Sequence, residues 1–297
     1  MSSKIERVAI LGRHDDPRVA EPMTALVQHL TKAGITVLAS EEMDLDIEVQ
    51  RVQETQLAID ADLMIAIGGD GTMLYAGNLA RETGISLLGV NRGRLGFLAD
   101  VSPEQMLASV DHILQGNFSS ESRLLLTATL TRASGEQLSE TAFNDVVLQR
   151  RETGRMVDIV ASIEDSYFNT HSGDGLIIAT PTGSTAYALS CGGPILDPRI
   201  DAVVIVPICP HTLTDRPVVI PAKQKIDIRV LEREDTSTEV VIDGHSIGAI
   251  GPDDVLSIRE SEQRIQLVHP PGYDFFDILR SKLFWGRDSR IRDQDAE

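Results

Sequence analysis

The sequence predicts an α/β domain with a parallel sheet, followed by a mostly antiparallel, β-rich domain. Three observations carry this. Apolar strands alternate with amphipathic helices up to about Leu114. Beyond that point short runs rich in Val and Ile succeed one another, separated by Gly, Asp, Ser and Pro. The 297 residues suffice for two domains of ordinary size.

In chain order, Val8–Leu11 reads as a strand. Asp16-Pro17 is a helix-start signal, and Ala20, Met23, Val27 and Leu30 follow at helical spacing up to Gly34. Ile35–Ala39 is the next strand. Between Glu41 and Asp62, eight acidic residues and one basic residue read as a solvated loop and helix face. Leu63-Met64-Ile65-Ala66-Ile67 is a strand apolar on both faces, and Gly68-Gly69-Asp70-Gly71-Thr72 turns it into a helix ending near Arg81. Ile85–Val90 is a further strand, running into Asn91-Arg92-Gly93 and Gly96, and a helix spans Pro103–Leu114. The β-rich part is expected as strands at 123–130, 138–149, 157–163, 175–179, 202–208, 218–220, 226–230, 240–242, 255–259 and 265–268. Asp274–Leu283 is helical again, with Phe275, Ile278, Leu279 and Leu283 on one face, expected to return to the first domain. The expected domains are 1–105 together with about 272–286, and 106–271; a tail from 287 has no apolar pattern.

Composition narrows the function. With 42% hydrophobic residues the chain is expected to be soluble and globular, and no apolar run approaches the roughly 18 residues of a membrane span. The start enters a strand without a signal-peptide pattern, and Cys191 and Cys209 lack metal-ligand spacing, which together suggest a cytoplasmic protein with two small buried thiols. A net charge of -18 argues against nucleic acid or an anionic membrane as partner. Bound phosphates must then be met by backbone N–H groups, a metal ion or a few placed arginines.

The turn at Gly68 to Thr72 suits such phosphates, because glycine N–H groups approach closely and a helix start adds partial positive charge. Asp70 is the odd member. A carboxylate repels phosphate unless a metal intervenes or it accepts a proton from a substrate hydroxyl. The alternative is an Asp-Gly turn capping the next helix. The run from Asp174 to Pro194 is the second unusual stretch, with four hydroxyl residues between Thr180 and Thr185 and a helix expected to start near Ser184 or Thr185. Hydroxyls and free N–H groups there suit phosphate, ribose or carboxamide; an elaborate turn is the alternative. Asn144-Asp145 interrupts an apolar strand, so one of the two must be paired, by a ligand or by the protein. Arg150, Arg151 and Arg155 are phosphate contacts or a solvated loop. Asp243-Gly244 is first a hairpin turn, with His245 beside it. His171, His211 and His269 show no metal or triad spacing.

Together, Gly68–Thr72, Asn144-Asp145 and the run from Asp174 to Pro194 resemble the NAD kinases, bacterial ones in particular, from about Val8 to Leu283. The first motif is shared with diacylglycerol, sphingosine and phosphofructokinase-like kinases, whereas Thr180-Pro181-Thr182-Gly183-Ser184-Thr185-Ala186-Tyr187 is far more selective. The resemblance implies a Rossmann-like, diacylglycerol/phosphofructokinase-like first domain, a β-rich NAD-binding second domain and a homodimer or homotetramer. It implies transfer of the γ-phosphoryl of ATP to the 2′-hydroxyl of the adenosine ribose of NAD bound between the domains, with Mg2+ or another divalent metal. Asp70 would take or orient the hydroxyl proton, and Gly71 would line the same pocket. Asn144, Asp145, Asp174, Thr182, Thr185, Ala186, Tyr187, Ala188, Leu189 and Ser190 would bind NAD, with Arg155 and His245 matching less firmly. Gly68, Gly69 and Thr72 would hold donor phosphates; no residue is assigned as a metal ligand. The rival readings are a lipid or sugar kinase sharing the glycine turn, and a non-catalytic NAD sensor.

Overall fold

The computed structural model describes residues 5–13, 16–44, 46–93, 96–151, 155–231 and 237–285, so the tail expected from 287 lies outside them. The chain divides into two units, Met1–Glu121 with Gln266–Glu297, and Ser122–Ile265.

In the first unit β1 (Arg7–Gly12), α1 (Pro17–Lys32), β2 (Thr36–Ser40), β3 (Gln50–Val52), α2 (Leu57–Asp60), β4 (Leu63–Gly68), α3 (Asp70–Ala80), β5 (Ser86–Asn91) and α4 (Met106–Leu114) follow in order. The strands pair in parallel in the order β5-β4-β1-β2-β3. β4 is buried along its whole length between β1 and β5, as its unbroken apolar run requires. Asp16 caps α1 by accepting from the Arg18 N–H, and Val19, Met23, Leu26, Val27 and Leu30 are its buried residues. The acidic stretch after β2 is more ordered than its charge suggests: it forms β3 and α2, because Leu57 and Ala58 reach the core.

β6 (Ser119–Thr131) leads into the second unit, which continues with β7 (Gln137–Ala142), β8 (Asp145–Arg150), β9 (Val157–Ile163), β10 (Ser166–Gly173), β11 (Gly175–Ala179), α5 (Tyr187–Ser190), β12 (Ala202–Ile208), β13 (Val218–Pro221), β14 (Ile226–Val230), β15 (Thr238–Ile242), β16 (His245–Ile250) and β17 (Val255–His269). One antiparallel sheet runs β13-β12-β11-β8-β15-β16, and β10-β9-β14-β17 form another antiparallel run. Leu148, Leu176, Ile178 and Val240 of the first meet Ile159, Ala161, Ile228 and Leu256 of the second in one apolar core. The opposite face of β11, Ile177 and Ala179, is covered by Ala188 and Leu196.

Three expectations are corrected here. Residues 138–149 are not one strand: β7 pairs with β6, β8 pairs with β11 and β15, and the chain bends at Phe143-Asn144. β10 is rich in polar residues, and β16 opens on His245-Ser246 and carries Gly248, so neither reads as a strand, yet they pair with β9 and β15. The two strands expected at 255–259 and 265–268 are one, β17, whose Gln266 and Leu267 pair with β5 in the first unit. The last helix, α6 (Phe275–Leu283), is capped by Asp274, and its Lys282 ammonium lies 5.8 Å from the Phe97 ring centroid.

Candidate functional site

In the first unit the carboxyl ends of β1, β2, β4 and β5 frame a cleft of about 670 Å³ lined by Gly12, Arg13, Ser40, Gly69, Gly71, Thr72, Tyr75 and Arg92 among others. This is where a parallel sheet places ligands. Gly68 itself is buried as the last residue of β4. Asp70 opens α3 but does not cap it: Gly69 is the cap residue. Its carboxylate reaches the segment after β5 instead, where Oδ2 accepts from the Phe97 N–H at 3.0 Å and Oδ1 from Leu98 at 3.0 Å and Ala99 at 3.3 Å. Arg92 at the cleft is paired with Asp16 at 3.0 Å; Asp16 is lowered to about 2, first by its hydrogen bond with Arg18. Tyr75 donates to Glu54, and burial, then that bond, push its phenol up to about 12.

In the second unit the two expected motifs meet. Thr180 donates its hydroxyl to the Phe143 carbonyl at 2.6 Å and its N–H to the Asn144 carbonyl at 2.9 Å. A Cβ on Gly183 would come 2.0 Å from the Asn144 carbonyl oxygen, so only glycine lets the Thr180–Thr185 loop close on Asn144. Asp243 sets the bend beneath it. Its carboxylate accepts from the N–H groups of Phe143 and Asn144 at 2.7 Å each and of Asp145 at 3.1 Å. Asp243 and Gly244 do form the turn between β15 and β16, with φ of 46° and 87°, but Asp243 is also the anchor of Asn144-Asp145, a role its hairpin signature hides.

Asp145 is 6% exposed, and its carboxylate has no hydrogen-bond partner among the described residues. Burial, then the neighbouring Asp243 charge, push its pKa up to about 7. Burial also raises Asp243, against the lowering effect of its three N–H bonds and of His245. The inward member of the pair is therefore Asp145, and no donor among the described residues reaches its carboxylate.

The hydroxyls of the second stretch behave differently from expectation. Thr180 also accepts from the Gly183 N–H at 3.0 Å, Ser184 donates to Pro181 at 2.6 Å and accepts from Leu196, Thr185 donates to Thr182 at 3.0 Å, and Thr182 accepts from the buried Arg123 at 3.4 Å. All four build the loop, which explains why so many occur in one turn. The expected helix start is a 3-10 turn at Gly183–Thr185, and α5 begins only at Tyr187. Ala188 faces the core, whereas Tyr187 is 42% exposed and Ser190 is exposed. Arg123, deep under Thr182, sits at the head of an apolar strand where nothing in the sequence marks it.

The remaining candidates separate. Asp174 pairs with Arg150 at 3.2 Å, Arg151 lies 3.9 Å from Glu239, and Arg155 and His245 are exposed. His171 and His269 prove to be buried partners of Asp215 and Asp100, at 2.7 Å each. Cys191 is half-buried and Cys209 exposed, against the expectation of two buried thiols. Among the described residues no three His, Cys, Asp or Glu side chains form a metal cage.

Comparison with known proteins gives the family. Residues 8–118 match the ATP-NAD kinase N-terminal domain and residues 143–270 the ATP-NAD kinase C-terminal domain. The chain belongs to the NAD kinase family. It is 39% identical to the NAD kinase of Nitrosococcus oceani over 97% of this chain and 99% of that one. Among solved structures, yeast NADH kinase complexed with NADH superposes with a TM-score of 0.88 at 22% identity, covering 97% of this chain and 92% of that one. An NAD kinase from Archaeoglobus fulgidus in complex with ATP does so at 0.72 and 23%, covering 93% and 99%. These two show the fold of NAD kinases: a parallel α/β unit and an antiparallel β unit.

Proposed function

We infer that this NAD kinase, an ATP-dependent phosphotransferase with an alcohol acceptor, moves the γ-phosphoryl of ATP to the 2′-hydroxyl of the adenosine ribose of NAD and releases NADP. Asp145 carries the reading. No donor among the described residues reaches this largely buried carboxylate, yet its oxygens are not sealed from solvent, so they are open to accept from two ribose hydroxyls. Asn144 stands beside it to bind ribose or adenine, and Asp174, the backbone of Thr182 and Thr185, and Ala186, Tyr187, Leu189 and Ser190 hold the rest of the dinucleotide, with core-facing Ala188 packed beneath them and Arg155 and His245 at the edge. Gly69, Gly71 and Thr72 meet the donor phosphates in the cleft of the first unit.

Asp70 accepts the 2′-hydroxyl proton as the oxygen attacks phosphorus. An ionised carboxylate offers about four acceptor positions, and three are taken by backbone N–H groups. One remains for the hydroxyl. Mg2+ commonly binds through one or two carboxylates and substrate phosphates rather than an all-protein cage, and here it would arrive on ATP. When bound there, it neutralises phosphate charge that would otherwise repel Asp70. We extend the reading to a cytoplasmic homodimer or homotetramer, on the resemblance to the bacterial enzymes; light scattering on the purified protein tests the assembly.

The test of the reaction is incubation of the purified chain with NAD, ATP and Mg2+ and measurement of NADP. Formation of NADP that depends on both substrates supports the reading, and phosphorylation of a lipid or sugar without NADP would overturn it.

A further inference from the structure

We propose that the Gly96–Ala99 turn is the positioning element of the Asp70 carboxylate, that Gly96 is the residue on which it depends, and that Oδ2 is the oxygen that takes the substrate proton. This rests on the reading of Asp70 as proton acceptor. The N–H groups of Leu98 and Ala99 both bind Oδ1, while among the described residues Oδ2 receives only the Phe97 N–H. The remaining acceptor position is therefore on Oδ2. The turn is closed by the Gly96 N–H on the Ala99 carbonyl at 2.8 Å.

Two glycines make this contact possible. A Cβ on Gly96 would lie 2.1 Å from Asp70 Oδ1 and 3.0 Å from its Cγ, so any side chain there drives the carboxylate off its amides. A Cβ on Gly89 of β5 would lie 2.6 Å from the Leu98 carbonyl oxygen and 2.8 Å from the Ala99 Cα, lifting the whole turn. From sequence Gly96 is either a mere turn residue or part of a site shared by the two glycine loops at one sheet edge, and its place is decided by a carboxylate 26 positions earlier in the chain. Three convergent N–H groups fix both the rotamer and the tilt of the acid, and a base misplaced by about 1 Å loses on the order of a hundredfold in rate.

The experiment is a double-mutant cycle on the full chain, with kcat from NADP formation and NAD affinity from calorimetry. Gly96→Ala is expected to lower kcat by about ten- to a hundredfold with NAD affinity within about twofold of the parent. In an Asp70→Asn background the same change is expected to do almost nothing further, because the group it acts through is gone. Equal losses in both backgrounds, or a Gly96→Ala enzyme with parental kcat, overturn the proposal. Unchanged turnover in Asp70→Asn alone overturns instead the reading of Asp70. If Gly96→Ala is too unstable to assay, the cycle is read on melting temperature against Asp70→Ala: the loss should vanish without the carboxylate, and a loss that persists overturns the proposal.

Discussion

Asp70 and Asp145 are both acids at strand ends, and their surroundings assign them different work. Asp70 is held by three N–H groups and keeps one acceptor position; Asp70→Asn is expected to bind NAD as before and to lose about a hundredfold or more in turnover, read by steady-state kinetics beside calorimetry. Asp145 has no donor among the described residues, and burial, then the Asp243 charge, push its pKa up to about 7. On the proposed role, protonation removes an acceptor for the ribose hydroxyls, so the KM for NAD should climb as pH drops below about 7, by up to tenfold per unit. Asp145→Asn should flatten that dependence. Asp243→Asn gives a finer check: the acid limb should move down, since one of the two causes of the shift is removed, and the fold should lose about 1–3 kcal/mol in urea titrations as N–H bonds of the bend are broken. A KM for NAD that is level between pH 6 and 8 in the parent enzyme would exclude Asp145 from the ribose site.

Among elements, the Thr180–Thr185 loop and the bend at Asn144 form one object held by Gly183. Gly183→Ala sets a methyl against backbone that cannot swing aside, and is expected to weaken NAD binding by tenfold or more while leaving the cleft of the first unit intact. Equilibrium binding of each nucleotide to the variant separates the two effects. The loop's hydroxyls illustrate how far sequence reaches. Four of them between Thr180 and Thr185 are legible as unusual, and their pattern names the family, yet each turns inward to a partner, and what is left to meet a ligand is backbone and the exposed residues that follow. The strand break at Phe143-Asn144 was illegible for a related reason: both flanks are apolar, and the carboxylate that bends them lies about a hundred residues away.

For the whole molecule, three buried groups bias stability in one direction. Asp145 and Asp243 are raised by burial; at His269 burial lowers the pKa, but the bond to Asp100 and the charges of Asp100 and Glu121 outweigh it and raise the imidazole. Each makes the native state bind more protons than the unfolded chain, so stability drops as pH rises. The Asp145 contribution is complete below 3.8 and lost through about 7; that of His269 is complete below 6.5 and lost as pH climbs past its higher folded value. Asp16, half-buried and lowered to about 2, works in the opposite sense only at strongly acid pH. With a net charge of -18 adding self-repulsion as carboxylates ionise, the melting temperature should peak near pH 5 and decline by pH 8. Asp145→Asn should flatten the decline up to about 7, and His269→Gln the part beyond it. Thermal melts across this range check the sign.

The sequence by itself determined the α/β and β-rich grammar, the glycine turn with its acid and the family, because strand period, glycine spacing and a contiguous motif are local properties of a chain. Only the tertiary structure decided which side chains are left for a ligand. It tied Asp70 to Phe97–Ala99, Asp243 to Asn144-Asp145 and Gly183 to Asn144, all contacts between residues distant in sequence. Hydrogen-bond satisfaction and desolvation depend on what the folded chain brings within about 3 Å, and no one-dimensional pattern records that.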